Sequence, residues 1–329
     1  MMIAVFVLSL LLEGSTAVDD PDLSSWTAVT VGVADLDEAL ALWVGDFGFD
    51  VAARRAGPDP GLATLWAIEP ADIARQALVR TPGARLGMLH LVEFVEPDPP
   101  VRRGAAVFDA VPKNLDVYVT DMPARLDALS RAGRSFRNQE YSEVTAPNGI
   151  TFREMHMPGH DHVNVVLLEI LGSGLTVPGG DFAGVGPLIL IVDDAEAEKV
   201  FYRDVIGLDL LSDNVLDGPE VERMVGLPKG AALDVSIWGR DGHPFGQIEV
   251  IDYRGVDGRS LYARARPKSL GILHVSYEVA NLEPIRRRLD DRRIEFSEFG
   301  TVETLYGSGP AIAFRSPAGF RVEMHERGR

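Results

Sequence analysis

One phrase constrains this chain more than any other, because it occurs four times. Trp26 to Val51, WTAVTVGVADLDEALALWVGDFGFDV, passes from an apolar, β-branched run through an acidic turn into a short amphipathic pattern ending at Gly48. Gly186 to Leu210, GPLILIVDDAEAEKVFYRDVIGLDL, repeats it without a gap once Asp35 is set on Asp194. Trp43 then meets Tyr202, Gly48 meets Gly207 and Val51 meets Leu210. The other two copies, Lys113 to Gly133 and Leu273 to Arg293, align when Asp121 is set on Asn281. Each places a proline, Pro123 or Pro284, near the first helical turn, where a missing N–H costs nothing. Strand-like runs follow the copies at 87–95, 163–171, 246–251 and 320–325. The unit is therefore β-α-β-β-β, and a chain of four such units is an α+β protein.

The repeats divide the chain. Residues 1–25 form an N-terminal arm or a signal segment, 26–171 a first pair of units, 172–184 a glycine-rich linker, and 185–329 a second pair. Residues 3–12 are apolar and Ser15-Thr16-Ala17 offers small residues for cleavage, but no Lys or Arg precedes the run and Glu13 follows it. A cytoplasmic location is expected, or a secreted or periplasmic one if residues 1–17 act as a signal peptide. The run is too short to span a bilayer.

With 49 acidic against 32 basic residues the net charge is −17, which repels phosphate backbones, so nucleic acid is not an expected partner. No membrane partner is expected either. A small-molecule substrate is, with the chain as a monomer or homodimer. The absence of cysteine removes thiolate metal sites and cysteine nucleophiles, leaving His, Asp and Glu as candidate ligands.

Three motifs carry a resemblance. They are the turn Val33-Ala34-Asp35-Leu36-Asp37, the helix ending Phe201-Tyr202 to Gly207-Leu208, and Ser316 to Met324 (SPAGFRVEM) before the last strand. Over residues 26–326 the chain resembles the vicinal oxygen chelate superfamily: glyoxalase I, bleomycin-resistance proteins, methylmalonyl-CoA epimerase and the extradiol dioxygenases. The resemblance implies that the four βαβββ modules pair into two cupped, mostly antiparallel sheets, each able to enclose a metal and a small substrate. Four modules in one chain is the extradiol dioxygenase arrangement.

The resemblance also implies ligand positions: seven residues before the turn acid in each first strand, and a Glu in each last strand. Here the first-strand positions are Ala28, Asn114, Pro187 and His274, and the last-strand candidates are Glu93, Glu169, Glu249 and Glu323. The C-terminal pair thus offers His274, Glu249 and Glu323 for one divalent ion (Fe²⁺, Mn²⁺, Ni²⁺, Zn²⁺ or Mg²⁺), with Glu323, Glu249 and Tyr306 as catalytic candidates. Pro187 and Ala28 supply no donor. Asn114, Glu93 and Glu169 read as a polar floor or a satisfied hydrogen-bond set. His90, at odd parity to Glu93, is expected on the opposite strand face.

His325 lies two residues after Glu323 and shares its strand face, and His243 falls in a turn-rich loop. His156, His160 and His162 cluster around the Pro158-Gly159 turn, where they need not converge.

Three functions follow. The first is a metal-dependent isomerase, lyase or epimerase that polarises a small oxygenated substrate. The second is an Fe²⁺ ring-cleaving dioxygenase for a catechol-like ring. The third is a metal-free small-molecule-binding or sequestering protein.

Overall fold

The computed structural model describes residues 23–172 and 181–328. Most of the expected arm at 1–25 and of the linker at 172–184 lies outside the described residues. The first module contains β1 (Ala28–Val33), α1 (Leu36–Leu40), β2 (Asp50–Ala56), α2 (Pro60–Trp66), β3 (Ile73–Arg80) and β4 (Met88–Phe94). The second contains β5 (Val111–Val119), α3 (Met122–Arg131), β6 (Ser142–Thr145), β7 (Thr151–Pro158) and β8 (Asn164–Leu171). The third runs β9 (Phe182–Val192), α4 (Ala195–Phe201), β10 (Asp209–Leu216), α5 (Pro219–Val225), β11 (Ala232–Gly239) and β12 (Gln247–Arg254). The fourth runs β13 (Gly271–Val279), α6 (Glu283–Asp291), β14 (Phe296–Glu303), β15 (Ser308–Arg315) and β16 (Arg321–Glu326). Because β9 begins at Phe182, the last residues assigned to the linker belong to a strand.

Local chemistry explains the repeated phrase. Asp35 caps α1 by accepting from Asp37 N (2.8 Å), and Asp194 caps α4 by accepting from Ala197 N (2.9 Å). Gly207 ends the α4 segment in the left-handed region, at φ 87°. A carboxylate from three of the four last strands reaches back to the helix start. Glu93 accepts from Leu36 N (2.9 Å), Glu169 from Asp121 N (2.8 Å) and Glu326 from Leu282 N (3.0 Å).

The four modules form two mixed eight-stranded sheets, but they do not pair by halves. One sheet has the order β14-β15-β16-β13-β1-β4-β3-β2, and the other β10-β11-β12-β9-β5-β8-β7-β6. The first module therefore pairs with the fourth, through antiparallel β1 and β13, and the second with the third, through antiparallel β5 and β9. This corrects the expected pairing of 26–171 and 185–329 as separate cups. The connectors explain it. The segments 95–110 and 255–270, equal in length, carry the chain between sheets and bridge each other in parallel at Asp98–Ser269 and Ala110–Ser260. The connection from β8 to β9 stays within one sheet.

The sheets meet through their helix-bearing faces. Val29, Val31, Leu115, Val117, Leu188, Leu190, Val275 and Tyr277 join α1, α3, α4 and α6 residues in one continuous core. Gly246 (φ 78°) lets the sheets approach, since a Cβ there would lie 2.6 Å from Trp26 O. The two concave faces point outward, and each has its own apolar cluster. Among the described residues no helix is long and apolar enough to cross a membrane.

Residues 1–172 alone would hold two half-sheets with β1 and β5 unpaired along their seams. Expressed by itself, this half should aggregate or self-associate, and co-expression with 181–329 should restore a soluble heterodimer on size exclusion. A monomeric half that unfolds cooperatively would contradict the shared-sheet architecture.

Candidate functional site

Strand register decides which side chains share a cup. In the parallel pairs, His274 lies opposite Arg321 and Asn114 opposite Asn164. Ala28 lies opposite Met88, and Pro187 opposite Gln247. Two residues further along come the inward positions of the last strands: Glu323, Val166, His90 and Glu249. Glu93 and Glu169 lie three residues beyond those and cap helices instead. They are thus corrected as cup residues, and His90 takes the place assigned to Glu93. Strand alternation sets His90 on the face opposite Glu93, and that face is the inside of the cup.

The first cup, built by modules one and four, brings His274, Glu323 and Tyr306 together. It does not include Glu249, which lies on β12 in the other sheet. The metal trio His274, Glu249 and Glu323 is therefore corrected, because modules three and four do not share a cup. Glu323 is fully buried and accepts from Trp66 Nε1 (3.1 Å), Arg321 Nε (2.8 Å) and Tyr306 OH (2.8 Å). His274 Nε2 lies 3.4 Å from Glu323 Oε2 without hydrogen-bond alignment.

Gln76 donates to Asp59 (2.9 Å), so its amide oxygen, 2.8 Å from His90 Nε2, accepts the proton of that nitrogen. His90 Nδ1 then accepts from the Thr30 hydroxyl (3.1 Å). Both ring nitrogens of His90 are spent. Burial lowers His90 to about 3 and His274 to about 4, so both are neutral at pH 7. Burial works to raise Glu323. It nevertheless falls to about 2, with His274 and Arg321 opposing burial, and Arg321 is the cation present at neutral pH. Trp66, at the end of α2, fills the middle of the cup against His274 (ring centroids 5.1 Å apart).

The second cup is open. Its cavity of about 160 Å³ has walls of Ile150, Phe152, Ile189, Met224, Leu233 and Ile251, and a floor of Lys113, Asn114, Asp116, Glu154, Glu249 and Tyr253. Val225 stands at the end of α5 where Trp66 ends α2, and the β6–β7 turn, 146–150, has no aromatic ring in place of Tyr306. Two smaller replacements leave the space.

A relay orients the floor. Arg137 Nε donates to Asn164 Oδ1 (2.6 Å), so Asn164 Nδ2 donates to Asn114 Oδ1 (2.9 Å) and His156 Nδ1 (3.0 Å). The His156 proton is thereby placed on Nε2, which lies 2.6 Å from Glu154 Oε1 without hydrogen-bond alignment. Burial, then the charges of Glu249 and Glu154, raise Asp116 well above the carboxylate range. Burial, then Glu154, raise Glu249 to about 8. Lys113 Nζ donates to Tyr253 OH (2.7 Å), and burial lowers this amine to about 7.

Of the histidine cluster, only His156 reaches this floor. His160 accepts from Trp43 Nε1 (2.9 Å) in the core, and His162 is exposed in a turn at φ 61°.

No family model matches the chain, and no curated protein does. Solved structures do. A single-residue variant of glyoxalase I from Zea mays superposes with a TM-score of 0.64 at 14% identity, over 92% of both chains. Unmodified glyoxalase I from Zea mays gives 0.61 at 13%, again over 92% of both. A proposed dioxygenase from Bacillus subtilis gives 0.61 at 12%, over 94% of this chain and 86% of that one. The chain has the vicinal oxygen chelate fold. At these identities the likeness is one of fold.

The four inward positions of the vicinal oxygen chelate fold are Ala28, His90, His274 and Glu323 in the first cup, and Asn114, Val166, Pro187 and Glu249 in the second. The first set does not fit a metal as arranged. His90 has no free lone pair, Glu323 already accepts from an arginine and two neutral donors, and within this set the unpartnered nitrogen is His274 Nε2. The second set offers one carboxylate. No group of three His, Asp or Glu among the described residues is placed to hold a metal.

Lys113, Asp116, Glu154 and Tyr253 had not been singled out from sequence. The available signals were a charge opening the apolar run 113–119, an acid within it, and the i, i+2 spacing of Glu154 and His156.

Removing the one permanent cation beside Glu323 would strand a buried carboxylate. Arg321→Met should lower unfolding free energy by about 3–5 kcal/mol in urea titration. A loss below about 1 kcal/mol would show that Glu323 does not depend on that partner.

Proposed function

We propose that the second cup binds a small, largely apolar carbonyl compound and moves a proton on it, as an isomerase, epimerase or lyase does, with side chains as acid and base. The observation that carries this reading is the cavity itself: apolar walls over a floor that concentrates Lys113, Asp116, Glu154, Glu249 and Tyr253. About 160 Å³ suits a six-membered ring or a short chain. Glu249, protonated at neutral pH, donates to the substrate oxygen. Glu154, beside the His156 Nε2 proton, takes the proton from carbon. The fold shared with glyoxalase I supports a pocket of this kind, and the donor sets of both cups favour chemistry through side chains over the expected divalent ion.

The sequestering reading is favoured by Asn114, Val166 and Pro187 at inward positions without imidazole or carboxylate. One experiment separates the two readings. The protein is incubated in D₂O with cyclohexanone, 2-pentanone and phenylacetaldehyde, and α-deuteration is followed by NMR. The enzyme reading predicts protein-dependent exchange that falls about 10²-fold or more in Glu154→Gln and Glu249→Gln. Ligand-induced stabilisation without exchange would favour sequestration, and neither effect would remove the cavity reading.

A further inference from the structure

We infer that Lys113 is an imine-forming lysine, whose amine adds to the carbonyl carbon of a compound held in the second cavity. The inference rests on the cavity reading above and names its nucleophile.

The backbone places this side chain deliberately. Along β5, Leu115 and Val117 face the core between the sheets, and alternation would send residue 113 the same way. The register of β5 against β9 slips between Pro112 and Asn114, leaving Lys113 as the extra residue of a β-bulge that turns it into the cup. The first cup has the same slip. Thr30 pairs with His274 and Val31 with Ile272, so the bulged residue there is Leu273, which joins that cup's apolar cluster. The same device therefore delivers a leucine to the filled cup and an amine to the open one.

The surroundings suit a nucleophile better than a structural cation. Lys113 is 4% exposed, and among the described residues its Nζ has a hydrogen bond to Tyr253 OH and no ion pair. Lys199 and Lys268, by contrast, are tied to carboxylates, Lys199 to Asp213 (3.0 Å) and Lys268 to Asp72 (2.9 Å). Burial, with the Arg102 and Arg137 charges, keeps a large share of the Lys113 amine unprotonated at neutral pH.

The chemistry balances with groups already present. The amine nitrogen forms a bond to the carbonyl carbon, and its proton passes to the oxygen. Protonated Glu249 supplies a second proton to that oxygen, water leaves, and a C=N⁺ iminium remains. The iminium acidifies the adjacent C–H, whose proton Glu154 accepts. Hydrolysis reverses the first steps and restores the amine.

The full-length protein is treated at pH 7 with benzaldehyde and sodium cyanoborohydride, and reductive benzylation is quantified by peptide mass spectrometry. Lys113, Lys199, Lys229 and Lys268 are compared within the same chain. Benzyl alcohol, which has the ring without the carbonyl, is tested separately for its effect on Tm. Lys113 should be labelled at least about tenfold faster than the other three, because far more of its amine is neutral. Labelling of Lys113 no faster than theirs overturns the imine assignment. If benzyl alcohol still raises Tm in that case, the cavity reading stands. If it does not, both fail.

Discussion

A carboxylate taken out of water must collect donors or give up its charge, and this molecule shows both solutions on equivalent strands. Glu323 and Glu249 occupy matching inward positions. Around Glu323 the first cup gathers Arg321, Trp66 and Tyr306, and these groups also fill the space where a ligand would sit. Around Glu249 the neighbours are Asp116, Glu154 and a lysine, so the proton is retained and the cavity stays open. One sheet architecture thus yields a packed, structural cup and a vacant, chemically poised one. The difference is made by a few substitutions, Trp66 against Val225 at the helix end and Arg321 against Gln247 two residues before the carboxylate foremost among them.

The seams β1–β13 and β5–β9 are what make the two cups equivalent. Each seam sets two first strands antiparallel, with a bulge on β13 or β5, and each bulge turns one extra side chain inward. Module duplication supplies the frame. The residues carried on the bulge, on the inward last-strand positions and at the end of the helix that crosses the cup determine what each frame can do.

Much of the fold was legible in the sequence because it is periodic. The turn acids, the helix-ending glycines and the strand runs recur at fixed spacing, and Asp35 and Asp194 do cap their helices. The partnering of modules was not legible, since the alternatives bury similar strands and differ only in where the connectors 95–110 and 255–270 lead. His274 and Glu323 were singled out because their spacing fits the superfamily pattern, and Tyr306 only as a polar side chain in the turn ahead of the last two strands. His90 was missed by aligning on Glu93, a helix cap, instead of the residue three places earlier. Lys113 could not be placed by alternation at all. Its orientation depends on a bulge, and a bulge is visible only once β5 is paired with β9.

The central claim is that small molecules enter the cup of modules two and three and not that of modules one and four. A methyl-resolved NMR titration with benzyl alcohol tests it directly. Saturable shifts should appear at Ile189, Leu233 and Ile251, with Leu62, Leu65 and Leu273 unmoved. Shifts at Leu62, Leu65 and Leu273 with the second cup silent would contradict the account.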